Sequence, residues 1–314
     1  MNKLLTASIM SLSIVACAPQ QDSNAEGNQI GRVTEFADSS HQFTPEVMWQ
    51  MGRIGAYHLS ADAQKAVYGV TYYSVEQNKS RSVIYASTPN YDAVPALLTS
   101  NGSEYAPSFI PGSDKVAFLA SANDGSGTMQ LWMMNADGTG RQQISFEANG
   151  VDDYLFSPCG KKVVLVETVA HEASVQKNDD DLSKSTGIVA NDLMYKHWDH
   201  YTKSAPHPFI ASFDGNKVSE GKDLLEGTPY ESPMLPFGGT EQFAWSPDGK
   251  QLAYTCRKLS GIDYAISTDS DIYLYDLESG ETKNLCKPEG YVRPACDATR
   301  SLKHQAVNQF QEDV

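Results

Sequence analysis

The groups in this 314-residue chain that could do chemistry are seven histidines, five cysteines and 39 acidic side chains. A nucleophilic serine of the hydrolase-elbow type needs Gly-x-Ser-x-Gly between a strand and a helix, so that a sharp turn exposes its hydroxyl. No such stretch occurs. His41, His58, His171, His197, His200, His207 and His304 therefore have no elbow serine to serve, and no Ser/His/Asp set assembles. His197, Asp199 and His200 lie close together, but they lack the i, i+4 histidine pair and the glutamate base of a zinc-binding helix. Packing or loop hydrogen bonding is the reading for them. Asn178-Asp179-Asp180-Asp181 could attract calcium, yet it lacks the glycine and closing glutamate of a calcium loop and reads as a solvated insertion. "NADGTG" (135–140) is explained throughout as a hairpin turn. The expectation is no catalytic residue, no metal ligand and no cofactor in this chain.

One chemical position does stand out, at the N-terminus. Met1-Asn2-Lys3 is a short positive segment, and Leu4 to Ala16 is an apolar run. The run is shorter than the roughly 20 residues that span a bilayer, but it suits a signal-peptide core. It ends at Ile14-Val15-Ala16-Cys17, which resembles a bacterial lipobox. Cys17 is the expected lipidation site, and the polar stretch after it is the tether to a membrane. Residues 1–17 then form the signal peptide and 18–43 a linker. The remaining cysteines, Cys159, Cys256, Cys286 and Cys296, show no C-x-x-C spacing and read as free, partly buried thiols. With 24 basic against 39 acidic residues the net charge is −15, which argues against nucleic acid as a partner.

The elements that must position any site are short strands. Thr44 can cap a helix, Pro45 suits its first position, and Val47, Met48 and Met51 fall on one face, giving a short helix. Beyond it the helical period disappears. "KAVYGVTYY" (65–73), "RSVIYAST" (81–88), "DKVAFLAS" (114–121), "MQLWMMN" (129–135), "KKVVLVET" (161–168), "HPFIASF" (207–213), "KQLAYTCR" (250–257) and "DIYLYDL" (271–277) read as strands separated by turn signals. Four stretches align on one turn: "LSADAQKAVY", "FIPGSDKVAF", "FSPCGKKVVL" and "WSPDGKQLAY". Their register residues Ser60, Ile110, Ser157 and Ser246 lie 50, 47 and 89 residues apart. Repeats of roughly 40–50 residues with four short strands are the mark of propeller blades. The long interval holds an insertion over 168–206, which interrupts what would be the third strand of blade three. The fold expected is all-β: a partial β-propeller of about four four-stranded blades over 44–290.

Two further segments carry a resemblance. "FTPEVMWQMGRIGAYHLSADAQKAVYGVTYY" is similar to the start of the propeller in the prolyl oligopeptidase family of serine peptidases, and "DLMYKHWDHYTKSAPHPFIASFDG" (192–215) to its mid-propeller segment. Within that family the chain resembles the dipeptidyl-peptidase and acylaminoacyl-peptidase-like members exported by Gram-negative bacteria. The resemblance implies a propeller that restricts access to an active site and helps to hold peptide substrates. It also implies a hydrolase domain, to which no position of this chain corresponds. Residues 291–314 lose the blade pattern and read as a divergent, irregular or helical tail. The chain alone is expected to be a non-catalytic propeller fragment anchored in the bacterial envelope. The alternative is an independent TolB-like propeller lipoprotein that binds a protein or envelope component. Four blades of a larger ring would leave two apolar faces open, at roughly 1.5–3 kcal/mol per large side chain not buried, which invites self-association.

Overall fold

The computed structural model describes residues 30, 42–90, 93–99, 102–171, 175–177, 184–190, 192–193, 196–197 and 200–286. Cys17, Asn178 to Asp181, Asp199, Cys296 and the tail 291–314 lie outside the described residues. Thr44 caps the first helix, α1 (Pro45–Gln50), its hydroxyl accepting from Val47 N at 3.3 Å. The helix is clamped to the first sheet by Arg53, whose guanidinium lies 4.6 Å from the Trp49 ring centre and 4.4 Å from that of Tyr73.

Blade one is β1 (Arg53–Leu59), β2 (Ala66–Ser74), β3 (Lys79–Ser87) and β4 (Ala96–Leu97). Blade two is β5 (Tyr105–Phe109), β6 (Lys115–Ser121), β7 (Met129–Asn135) and β8 (Gln142–Gln143). Blade three begins with β9 (Asp153–Phe156) and β10 (Lys162–Ala170). Two small ladders follow, β11 (Val175–Lys177) with β12 (Ile188–Ala190) and β13 (Lys196–His197) with β14 (His200–Tyr201). The blade is completed by β15 (Ser204–Ser212) and β16 (Lys222–Asp223). Blade four is β17 (Phe243–Trp245), β18 (Gln251–Cys256), β19 (Asp271–Asp276) and β20 (Thr282–Asn284), with a short helix α2 (Gly261–Ile266) between β18 and β19. Each blade is a four-stranded antiparallel sheet in which consecutive blade strands are neighbours.

The aligned turns join the first and second strands of all four blades, as their sequences require. In the fourth, Ser246 Oγ accepts from Lys250 N at 3.1 Å and Gln251 N at 2.9 Å and donates to Asp248 Oδ1 at 2.7 Å. A serine and an aspartate thus build the turn from their own side chains. Gly249 follows at φ +71°, in the left-handed region that glycine tolerates.

The insertion differs from the expectation in one respect. It does not interrupt the third strand of blade three. It lengthens the connection before it, and β10 and β15 pair in unbroken register from Lys162↔Ser212 to Ala170↔Ser204. Nine contiguous pairs between Val-rich β10 and β15 outweigh the polar loop between them, whose closure entropy grows only slowly with length.

Three clusters of buried apolar side chains fill the seams. Ile84, Phe118 and Trp132 lie between blades one and two. Leu131, Tyr154 and Leu165 lie between two and three, and Val166, Leu252 and Tyr254 between three and four. The first strands are also linked in sequence. Phe109 N donates to His58 Nδ1 at 3.3 Å, Tyr154 Oη to the Ala106 carbonyl at 2.5 Å, and Trp245 Nε1 to the Leu155 carbonyl at 3.2 Å. The expected apolar exposure at the ends of the array falls mostly on β1, where Ile54, Tyr57 and Leu59 are 70%, 74% and 52% exposed. On blade one's far face Val70, Tyr72 and Val83 are buried, with Ile30 packed against them.

Candidate functional site

In an antiparallel four-stranded blade, the start of the first strand, the end of the second and the start of the third lie on one side. In blades three and four that side carries everything irregular: the insertion, α2 and the connection from β16 to β17. The opposite side carries the regular turns.

A cavity of about 550 Å³ opens on the irregular side between blades three and four. Its walls are Val166 and Thr168 at the end of β10, Tyr201 to Pro206 leading into β15, and the connecting loop from Glu231 to Gly239. The loop sequence, Glu-Ser-Pro-Met-Leu-Pro-Phe-Gly-Gly, cannot form a strand or helix, because its prolines remove backbone donors. It is anchored instead by side chains. Ser232 Oγ donates to the Thr255 carbonyl at 2.7 Å, Ser232 N donates to the Pro206 carbonyl at 2.9 Å, and Met234 N donates to Gln242 Oε1 at 2.9 Å. Gly238 approaches so closely that a Cβ there would strike the Met234 carbonyl and the Gln242 amide. Leu235 and Phe237 stand exposed along the cavity wall.

Three acids line this mostly apolar cavity, Asp152, Asp153 and Glu231. Glu231 is 6% exposed, and burial pushes its carboxyl up to about 7, against the pull of the Tyr264 hydroxyl and the Arg257 charge. Tyr264 Oη, on α2, donates to Glu231 Oε1. The Arg257 guanidinium lies 4.6 Å from the Tyr264 ring centre, and the backbones of Glu231 and Arg257 form an isolated bridge. Burial also raises Asp153, with Glu241 and Asp152 adding to it. Acids that burial pushes toward the protonated form gain most from an arriving cation, because charge pairing then offsets the cost of their burial. The cavity can therefore take a ligand with an ammonium group and an apolar body.

The segment 192–215, singled out in the sequence, supplies Tyr201, Thr202, Ser204 and Pro206 to this cavity. His197 and His200 pair through their backbones across the β13–β14 ladder, and His207 is buried in blade three, beside Asp223. Among the described residues no group of three or more His, Cys, Asp or Glu side chains is placed to hold a metal ion. Cys159 and Cys256 are free thiols, Cys159 exposed and the Cys256 thiol raised by burial to about 12, and half-buried Cys286 accepts from Ile272 N at 3.3 Å. Sequence reasoning missed Glu231, Arg257 and Tyr264, since Glu231 meets the other two only across long stretches of chain. The one local signal was a glutamate heading a proline-rich apolar connector.

No protein-family model matches the chain. Two curated relatives, both named dipeptidyl-peptidase 5, match most of it. That of Porphyromonas endodontalis is 37% identical over 261 residues, covering 83% of this chain and 37% of the relative. That of Porphyromonas gingivalis is 38% identical over 248 residues, covering 79% and 36%. The chain thus spans little more than a third of the length of these relatives. Among solved structures, the acylaminoacyl peptidase of Pyrococcus horikoshii superposes with a TM-score of 0.53 at 14% identity, over 76% of this chain and 33% of that one. At that identity the likeness concerns the fold.

Proposed function

Because the chain carries the β-propeller part of the prolyl oligopeptidase family, we propose that it admits and holds a peptide, whose amino-terminal end enters the cavity between blades three and four. The observation that carries this reading is the pairing of buried Glu231 with Tyr264 and Arg257 at a mostly apolar cavity. A free peptide amino group is a cation flanked by a side chain, the chemistry such a site takes. Arg257 and Tyr264 fix the Glu231 carboxylate, Asp153 adds negative potential, and Val166, Pro206 and Leu235 receive the apolar part. The role of this part of the molecule is holding, and the bond-breaking groups of such an enzyme belong to its hydrolase domain.

Cys17 is the proposed lipid attachment point, which places the propeller at the surface of a bacterial envelope membrane. The apolar strand β1, with Ile54 and Tyr57 exposed, is the proposed surface for contact with further blades or with a second copy.

Calorimetric titration tests the peptide reading. A short apolar peptide with a free amino terminus should bind, and the same peptide N-acetylated should bind at least tenfold more weakly. Equal affinity for both peptides, or no loss of affinity in Glu231→Gln, would overturn it.

A further inference from the structure

Blade three buries a second set of titratable groups in the seam toward blade two. Glu167 on β10 stands opposite His207 on β15 in the ladder, so both side chains share one face of the sheet. They are 3% and 2% exposed. His207 Nδ1 lies 2.8 Å from Asp223 Oδ2 on β16. His207 Nε2 and Glu167 Oε1 are both buried without a hydrogen-bond partner, an expensive condition that a fully satisfied polar cluster avoids.

The other groups facing Glu167 come from the connection between β8 and β9. Glu147 and Asp152 present carboxylates and Asn149 an amide that hydrogen-bonds Glu167. Near Glu147 lie Lys217 and Glu220. Burial first, and the neighbouring Glu147 next, push the Glu167 carboxyl up to about 7. The same connection ties the two blades together. Gln130 Nε2 donates to the Glu147 carbonyl at 2.7 Å, Glu147 N donates to Gln130 Oε1 at 3.0 Å, and Val151 N donates to the Met129 carbonyl at 2.8 Å. On the blade-three side Asp152 N donates to the Val166 carbonyl at 2.8 Å.

We infer that Glu167, His207, Asp223 and Glu147 form a proton-operated seam between blades two and three, closed while Glu167 holds a proton and loosened when it ionises. Ionisation places a second negative charge beside half-buried Glu147, where water screens the pair only in part. The connection that carries Glu147 is the movable partner, since β10 and β15 are locked in one long ladder. Loosening reaches the cavity, because Thr168 Oγ1 donates to Asp152 Oδ2 at 2.6 Å and both residues line it. The seam itself is argued from groups outside the peptide cavity and stands whether or not the cavity takes a peptide.

Hydrogen exchange of the full chain at pH 6 and pH 8, corrected for the intrinsic rate, tests this. Protection of the Val151 and Asp152 amides should fall about tenfold for each pH unit up to the Glu167 midpoint and level off above it. Protection at Ile84, whose amide donates to Thr99 Oγ1 at 3.0 Å in the seam between blades one and two, is the internal reference. Glu167→Gln should keep Val151 and Asp152 protected at both pH values. Glu147→Gln should shrink the loss and move it to lower pH, since it removes both the charge that holds the Glu167 midpoint up and the repulsion that loosens the closed seam. Wild-type protection that is the same at pH 6 and pH 8 would overturn the seam, and that measurement decides even if a variant fails to fold. A loss in Glu167→Gln equal to that in wild type would overturn it too.

Discussion

Replacing Glu231 by glutamine should make the protein more stable at alkaline pH and leave it nearly unchanged in acid. Burial raises the Glu231 carboxyl from its ordinary value of 4.5 to about 7, so the folded state holds the proton more tightly than the unfolded chain. For an acid raised in this way the stabilisation is fully present below the unfolded value and is lost as pH rises through 7. A displacement of that size corresponds to about 3 kcal/mol lost between roughly pH 4.5 and 8. Glutamine keeps an amide oxygen to accept from Tyr264 and carries no charge to desolvate, so the variant escapes this loss. For a domain of this size the gain at pH 8 corresponds to about 6 °C in melting temperature. Thermal melts of both proteins from pH 4.5 to 8.5 provide the assay. Parallel pH profiles for wild type and variant would refute the reasoning, because they would mean that Glu231 titrates as an ordinary exposed carboxylate.

Three further outcomes are expected. Leu165→Ala opens the seam between blades two and three at a fully buried position and should cost about 2–5 kcal/mol in chemical denaturation. Ser246→Ala removes the acceptor for two backbone N–H groups of the blade-four turn and should cost about 1–2 kcal/mol, with the loss measured by urea melts. Cys17→Ser should abolish acylation and move the protein from the membrane fraction to the soluble one; unchanged partitioning would refute the lipid assignment.

The parts of the fold legible in the sequence were those whose causes are local. Ser246, Asp248 and Gly249 build their turn within five residues, so each aligned turn could be read directly, and the period of the turns gave the blades. Strand β1 was not legible as a strand. Arg-Ile-Gly-Ala-Tyr-His-Leu shows no clean alternation, and every residue in it is exposed, so burial left no pattern in its composition. Helix α2 has only six residues, fewer than periodicity can reveal, and its N-cap serine makes no side-chain capping bond. The insertion was visible as a polar break, but only the β10–β15 register shows that it extends a connection and leaves the third strand whole. The cavity was the least legible feature. Glu231 meets Arg257 and Tyr264 across 26 and 33 residues of chain, and no spacing rule links them.

The most direct test of the account is the titration of the Glu231 carboxyl, followed by carbon-13 NMR in glutamate-labelled protein. Without ligand its midpoint should lie near 7. A saturating apolar peptide with a free amino terminus should lower that midpoint, since an adjacent ammonium favours the carboxylate, and the N-acetylated peptide should leave it where it was. A midpoint that does not move with the free peptide, or that moves equally with both, would contradict the claim that this propeller holds the amino-terminal end of a peptide.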